Sequence, residues 1–152
     1  MLRRRPLSAC AALLCVLLLV PAATASASPS PSHTMLVKVN RYRAARGLPR
    51  LHNTRALDSS ARRYAHWMLN HQYFGHDNHI HVSQRFRYVG EVLAYHTGKF
   101  PGVGMMLRAW EHSPEHNSIL LDRTYVDAGF GFEEGRLHGQ RVTLWVGHLA
   151  RR

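Results

Sequence analysis

The period of the hydrophobic pattern changes once along this chain, and that change limits the fold more than any other feature. Leu36, Val39 and Tyr42, and then Leu57, Ala61, Tyr64, Ala65, Met68 and Leu69, recur three and four residues apart. Such spacing places them on one stripe of a helix. From Val126 onward the period is two. Val126, Ala128, Phe130 and Phe132 alternate with Asp127, Gly129, Gly131 and Glu133. Val142, Leu144 and Val146 alternate likewise after a loop containing Gly135 and Gly139. Alternation of this kind marks a β-hairpin. Helices followed by a terminal antiparallel pair predict an α+β layered domain.

The punctuation supports this division. A first helix is predicted over residues 33–46, ended by Gly47 and Pro49. A second starts near Asn53 or Thr54, either of which can cap it, and frays at residues 71–75. Residues 76–88 look irregular, with one short helical turn. Residues 89–95 suit a strand and residues 103–110 a helix. Ser113-Pro114 marks an N-cap with proline at the first helical position, opening a short helix through residue 121.

The N-terminus has a different character. Arg3, Arg4 and Arg5 precede an apolar run from Ala11 to Val20, followed by Pro21 and the small residues Ala22 to Ala27. This is the layout of a secretory signal peptide, residues 1–27, with cleavage expected after Ala27. The run is too short for a comfortable span, which takes about 20 apolar residues, so no membrane span is expected after cleavage. Leu7-Ser8-Ala9-Cys10 resembles a lipidation signature but precedes the apolar run, where a lipid site would follow it. Residues 28–34, rich in Pro and Ser, are expected to be a flexible linker, and residues 35–152 one domain.

Both cysteines, Cys10 and Cys15, lie inside the signal. The expected secreted chain of 125 residues therefore has neither disulfide nor thiol nucleophile. An ordinary hydrophobic core must hold it, and its length is sufficient for one. It carries 17 basic residues against nine acidic ones, a net charge of +8. A positive secreted protein is drawn to anionic surfaces such as wall polymers, lipid headgroups or nucleic acid. No basic run interleaved with aromatics occurs, so specific nucleic-acid binding is not expected.

There is no Gly-x-Ser-x-Gly, no His-Glu-x-x-His and no phosphate-cradling glycine loop. What stands out is histidine, with 12 in the chain. Neutral imidazole is a common ligand for zinc-like metals. His66 and His71, five apart on a helix, make a poor chelating pair, and His79 and His81 flank a single residue. His76 follows Tyr73-Phe74-Gly75 just past an amphipathic helix, and His116 falls in the first turn of another. Glu91 opens the apolar stretch Val92-Leu93-Ala94, where a carboxylate needs a partner. These three groups suit an open metal site, an acid–base pair or a hydrogen-bonded tie between helices and sheet. Spacing alone does not choose among them.

Several segments fall in an order that resembles the CAP superfamily, the SCP-like extracellular domains, in its short bacterial form. They are Val39-Asn40 with Tyr42-Arg43 and Leu48-Pro49; Phe74-Gly75-His76-Asp77; Gly90-Glu91; Trp110 with Ser113-Pro114, His116 and Ile119-Leu120-Leu121; and Tyr125-Val126 with Ala128 to Gly131. The resemblance implies a three-layer α-β-α sandwich with an antiparallel sheet. It implies a cleft lined by His76, Glu91 and His116, with a second acid at Glu111 or Glu115, Glu111 being preferred. It also implies that His76 and His116 can hold a divalent metal, Zn²⁺ or another. Val92 replaces the asparagine of the family's Gly-Glu-Asn, and the last strand, with Trp145 to Leu149, lacks the usual glutamine. The stretch between His76 and Glu91 is short for the family.

Members of that family are linked to defence, signalling, lipid or sterol binding, and proteolysis. The expectation is a secreted binding or effector module for a small ligand, lipid or cell-wall component. One alternative is a metal-dependent hydrolase of peptide or cell-wall substrates, with Glu91 as general base. Another is a basic protein that adheres to anionic cell-surface polymers.

Overall fold

The computed structural model describes residues 29–152, so the expected signal segment lies outside the described residues. Eight elements follow in order: α1 (Pro31–Ala44), β1 (His52–Asn53), α2 (Arg55–Asn70), β2 (Tyr88–Thr97), α3 (Val103–Glu111), α4 (Pro114–Leu121), β3 (Asp127–Leu137) and β4 (Gln140–Arg151).

The helix α1 begins inside the stretch expected to be a flexible linker. Ser30 is its N-cap, accepting a hydrogen bond from the His33 amide at 3.2 Å, and Pro31 takes the first helical position. A proline there forfeits an amide that has no helical partner anyway. In α4 the Ser113-Pro114 pair starts the helix as predicted, but the Ser113 hydroxyl donates to Glu115 Oε2 at 3.1 Å rather than capping a backbone amide.

The sheet has the order β1-β3-β4-β2. The strands β3/β4 and β2/β4 pair antiparallel, whereas the two-residue β1 pairs parallel with β3. The sheet is therefore mixed rather than wholly antiparallel. A two-residue strand has no periodicity to betray it.

Helix α2 covers one face, and α1, α3 and α4 cover the other, giving the α-β-α layering. Alternate residues of β4 feed the two cores. Trp145 and Leu149 join Met35, Val39, Trp110 and Phe130, while Leu144 and Val146 join Ala61, Ala65 and Met68. Central in the sheet and covered on both faces, β4 is buried from Val142 to Ala150. The contact of α2 with β3 is a backbone approach. A Cβ on Gly129 would collide with the Leu57–Asp58 backbone, and one on Gly131 with the Ala61–Arg62 backbone.

Polar ties fix the layers. Asn40 exchanges two hydrogen bonds with the Leu51 backbone, at 2.8 and 3.0 Å. The fully buried Arg43 donates to the carbonyls of Pro49, Leu120 and Asp122. Asp58 accepts the Phe130 amide at 2.9 Å, joining the start of α2 to β3. Buried polar groups need such partners, and these convert an obligation into register.

Candidate functional site

The site is assembled from the end of α2, the strand pair β2/β4 and the start of α4. Past α2, Gln72 takes a positive φ of 52° and the chain turns back. Its side chain donates to the carbonyls of Leu69 and Arg136 and accepts from the His138 amide, which pins the turn. The Tyr64 hydroxyl donates to the Gly75 carbonyl at 2.6 Å, and the Tyr73 hydroxyl to that of His76 at 3.1 Å. Burial, followed by the nearby charges of Glu91, Tyr73 and Asp77, raises the Tyr64 pKa. The phenol thus stays protonated as a donor. Two tyrosines therefore set the position from which His76 reaches the sheet.

Glu91 lies opposite His148 in the β2/β4 register. Directly opposed residues share a face, so both point toward α2. His148 Nε2–H donates to Glu91 Oε2 at 2.9 Å, and His76 Nδ1–H donates to Oε1 at 2.7 Å. The chain continues inward, where the Ser60 hydroxyl lies 2.8 Å from His148 Nδ1 and 3.0 Å from the Leu57 carbonyl. With Nε2 protonated, Nδ1 accepts the hydroxyl proton, and the Leu57 carbonyl keeps its helical amide. Ser60, His148 and Glu91 are buried, whereas the His76 side chain is 56% exposed.

His116 completes the open side. Its ring centroid lies 6.2 Å from that of His76, with the planes tilted by 44°. Burial first, and then the neighbouring His76, lowers its pKa, and Glu115 partly opposes them. His116 is accordingly a neutral imidazole near pH 7, able to accept a hydrogen bond or bind a cation. A cleft of about 420 Å³ opens here, lined by His76, Glu91, Glu115 and His116 with Ile119 and Tyr125. Gly90 makes the fit possible, since a Cβ there would lie 2.6 Å from the Tyr125 hydroxyl and 2.9 Å from Ile119.

The structure brings His76, Glu91 and His116 together. The other acids lining the cleft are Asp77 and Glu115, and Glu111 is not among them. Glu111 ends α3 and does not line the cleft, whereas Glu115 precedes His116 in the first turn of α4. Other histidines lie elsewhere. His71 stacks on Trp67 at 4.4 Å, His112 contacts the Arg108 carbonyl, and His79 packs edge-on against His81.

Two residues escaped the sequence reading. His148 continues the alternation Val142, Leu144, Val146, and a polar group at that position was the available signal. Ser60 lies beside the apolar stripe of α2 but carried no signal of its own.

As a metal site the arrangement is partial. Among the described residues, no three His, Cys, Asp or Glu side chains converge closely enough to hold an ion. Both Glu91 oxygens are already bonded to histidines. The donors fit an open site of two imidazoles and not a closed four-ligand one.

Comparisons with known proteins agree with this fold. An outer surface protein of Borrelia burgdorferi superposes with a TM-score of 0.63 at 18% identity, covering 79% of this chain and 91% of that one. An extracellular SCP-domain protein of Bacillus anthracis gives 0.64 at 20% identity, covering 80% of this chain and 40% of the other. Venom allergen-like protein 4 of Schistosoma mansoni gives 0.57 at 14%, covering 82% and 92%. At such identities the likeness is one of fold. No curated protein sequence matches significantly. The family model described as the cysteine-rich secretory protein family, CAP, matches residues 36–149. That span includes every residue of the cleft and most of the sandwich that positions it, and the chain belongs to the CAP family.

Proposed function

We propose that the protein is a secreted CAP-type binding module that takes a small polar ligand in the cleft between β2, α4 and the His76 segment. The observation that carries this reading is the state of Glu91. Its carboxylate is 3% exposed and tied on both oxygens, while His76 and His116 stand open beside it. A fixed negative group next to two imidazoles, with Ile119 and Tyr125 as apolar wall, has the make-up of a ligand pocket. The hydrolase reading needs a carboxylate free to take a proton from water, and a Glu91 engaged by two histidines suits it less well. Secretion is supported by the N-terminal segment and by relatives described as outer surface or extracellular proteins.

A divalent cation, zinc above all, belongs to this proposal. His76 gives its Nδ1 proton to Glu91, which leaves Nε2 as the lone pair for a metal. Carboxylate–histidine pairs select that tautomer. His116 would supply the second imidazole. Such an ion would act as a Lewis acid toward a bound oxygen or nitrogen ligand.

Zinc titration calorimetry tests the reading. One ion per chain is expected, with binding lost in the His76→Ala/His116→Ala double variant. Glu91→Gln should weaken it by about tenfold, the usual effect of removing an outer-shell partner. Undiminished binding in the double variant would place the ion on the surface histidines, and no binding by the wild type would remove the metal from the proposal.

A further inference from the structure

Arginines that are scattered in the sequence meet at one end of the sheet. The strand order brings the starts of β1, β3 and β2 and the end of β4 to a common rim. Arg50 stands two residues before β1, and Arg123 lies in the turn before β3. Arg151 and Arg152 close β4, while Arg85 and Arg87 lead into β2. All six are exposed. The segments are held side by side. The Arg87 amide donates to the Arg151 carbonyl at 2.9 Å, and the buried Arg43 binds both the Pro49 and the Asp122 carbonyls.

Little acid offsets this charge. Asp122 accepts the Thr124 amide, and the buried Asp127 pairs with Arg152 at 3.2 Å. Among the described residues, the other five arginines form no ion pair. The opposite end of the sheet is mixed. There Arg141 pairs with Glu134, and Glu133 lies nearby along β3.

A second observation comes from the same rim. Tyr88 is opposite Arg151 in the β2/β4 register. The Val126 amide donates to the Ala150 carbonyl, one step beyond the Asp127–Ala150 pair, so Val126 falls on the other side of Arg151. The result is a cross-strand row of Tyr, Arg and Val on one face. Tyr88 is 61% exposed and Val126 45%.

We infer that this rim docks the protein on an anionic lipid bilayer. Guanidinium groups match headgroup phosphates, and juxtamembrane basic residues respond to the negative surface potential. Tyrosine belongs at the apolar–polar boundary, where Val126, across Arg151 from it, enters the acyl edge. A soluble polyanion would engage the arginines and leave Tyr88 and Val126 without a role. Among the described residues no helix is long and apolar enough to cross a membrane, so the attachment is peripheral. The rim borders the cleft, which Val89 and Tyr125 line next to Tyr88 and Val126, but the inference does not depend on what the cleft binds.

Co-sedimentation with vesicles tests it, using the protein from Ser28 onward, which holds every described element. Binding to phosphatidylglycerol/phosphatidylcholine vesicles is expected, with none to phosphatidylcholine alone. Arg85→Ser/Arg87→Ser/Arg151→Ser should weaken binding by about a hundredfold, roughly fivefold for each arginine. Lys99→Ser/Arg136→Ser/Arg141→Ser, with the same charge loss at the far end of the sheet, should do much less. Tyr88→Ser/Val126→Ser should weaken vesicle binding by about tenfold and leave binding to soluble polyphosphate unchanged. Equal losses from the two triple variants would overturn the rim in favour of net charge. Unchanged vesicle binding in Tyr88→Ser/Val126→Ser would overturn the bilayer in favour of a soluble polyanion.

Discussion

The two oxygens of Glu91 face different surroundings. Oε2 meets His148, whose side chain is 1% exposed and backed by Ser60. Oε1 meets His76, which is 56% exposed and has His116 across the cleft. The chemical groups are the same on both sides, a carboxylate and an imidazole, but their environments give the two contacts different work. On the inner side both groups are almost wholly shielded from solvent, so the contact carries stability. On the outer side solvent can stand in for either group, so the contact costs little to break and leaves His76 available to a ligand. A polar chain that crosses from core to cleft lets the fold orient an exposed imidazole without spending that group on folding.

The comparison breaks most visibly at the histidines. His148→Leu strands a buried carboxylate and should cost about 3 kcal/mol. His76→Ala, at the exposed end of the same carboxylate, should cost less than about 1 kcal/mol. Urea unfolding of the two variants measures the gap directly, and equal losses would mean that the two sides of Glu91 are energetically alike. Ser60→Ala comes next. It removes one buried hydrogen bond and should cost about 1 kcal/mol in the wild type and close to nothing in His148→Leu. A double-mutant cycle that showed additivity would uncouple Ser60 from the chain.

The smallest effect is one of pH. His116 has a folded pKa below its unfolded value of about 6.5. As pH falls through that value, the unfolded chain takes up the proton first, so this contribution to stability declines until the folded pKa is passed. His116→Asn should remove that decline. Relative to wild type the variant should gain stability between pH 7.5 and pH 5.5, measured as the shift in urea midpoint. A constant difference across that range would show that the cleft does not disfavour the charged imidazole.

Apart from the two-residue β1, the sequence placed the elements of the fold within a few residues, because helix and strand periods and Ser-Pro starts are local signals. It also located His76, Glu91 and His116, through their order along a family pattern and through the anomaly of a carboxylate in an apolar strand. The misses were of another kind. Glu111 and Glu115 are both acidic and four residues apart, and only the break between α3 and α4 turns one toward the cleft and the other away. His148 sat in plain view at an inward position, but its partner is 57 residues distant and is chosen by strand register.

By itself the sequence determined what each segment would be: which stretches are helical, which alternate, where Pro and Gly interrupt them, and that no disulfide would hold the domain. Tertiary structure decided which segments would be neighbours. It set Glu91 between two histidines and gathered six arginines on one rim. Local propensity is a property of a few adjacent residues. Strand order and register, in contrast, are settled only when β4 is buried on both faces and every side chain along it must find its place in one core or the other.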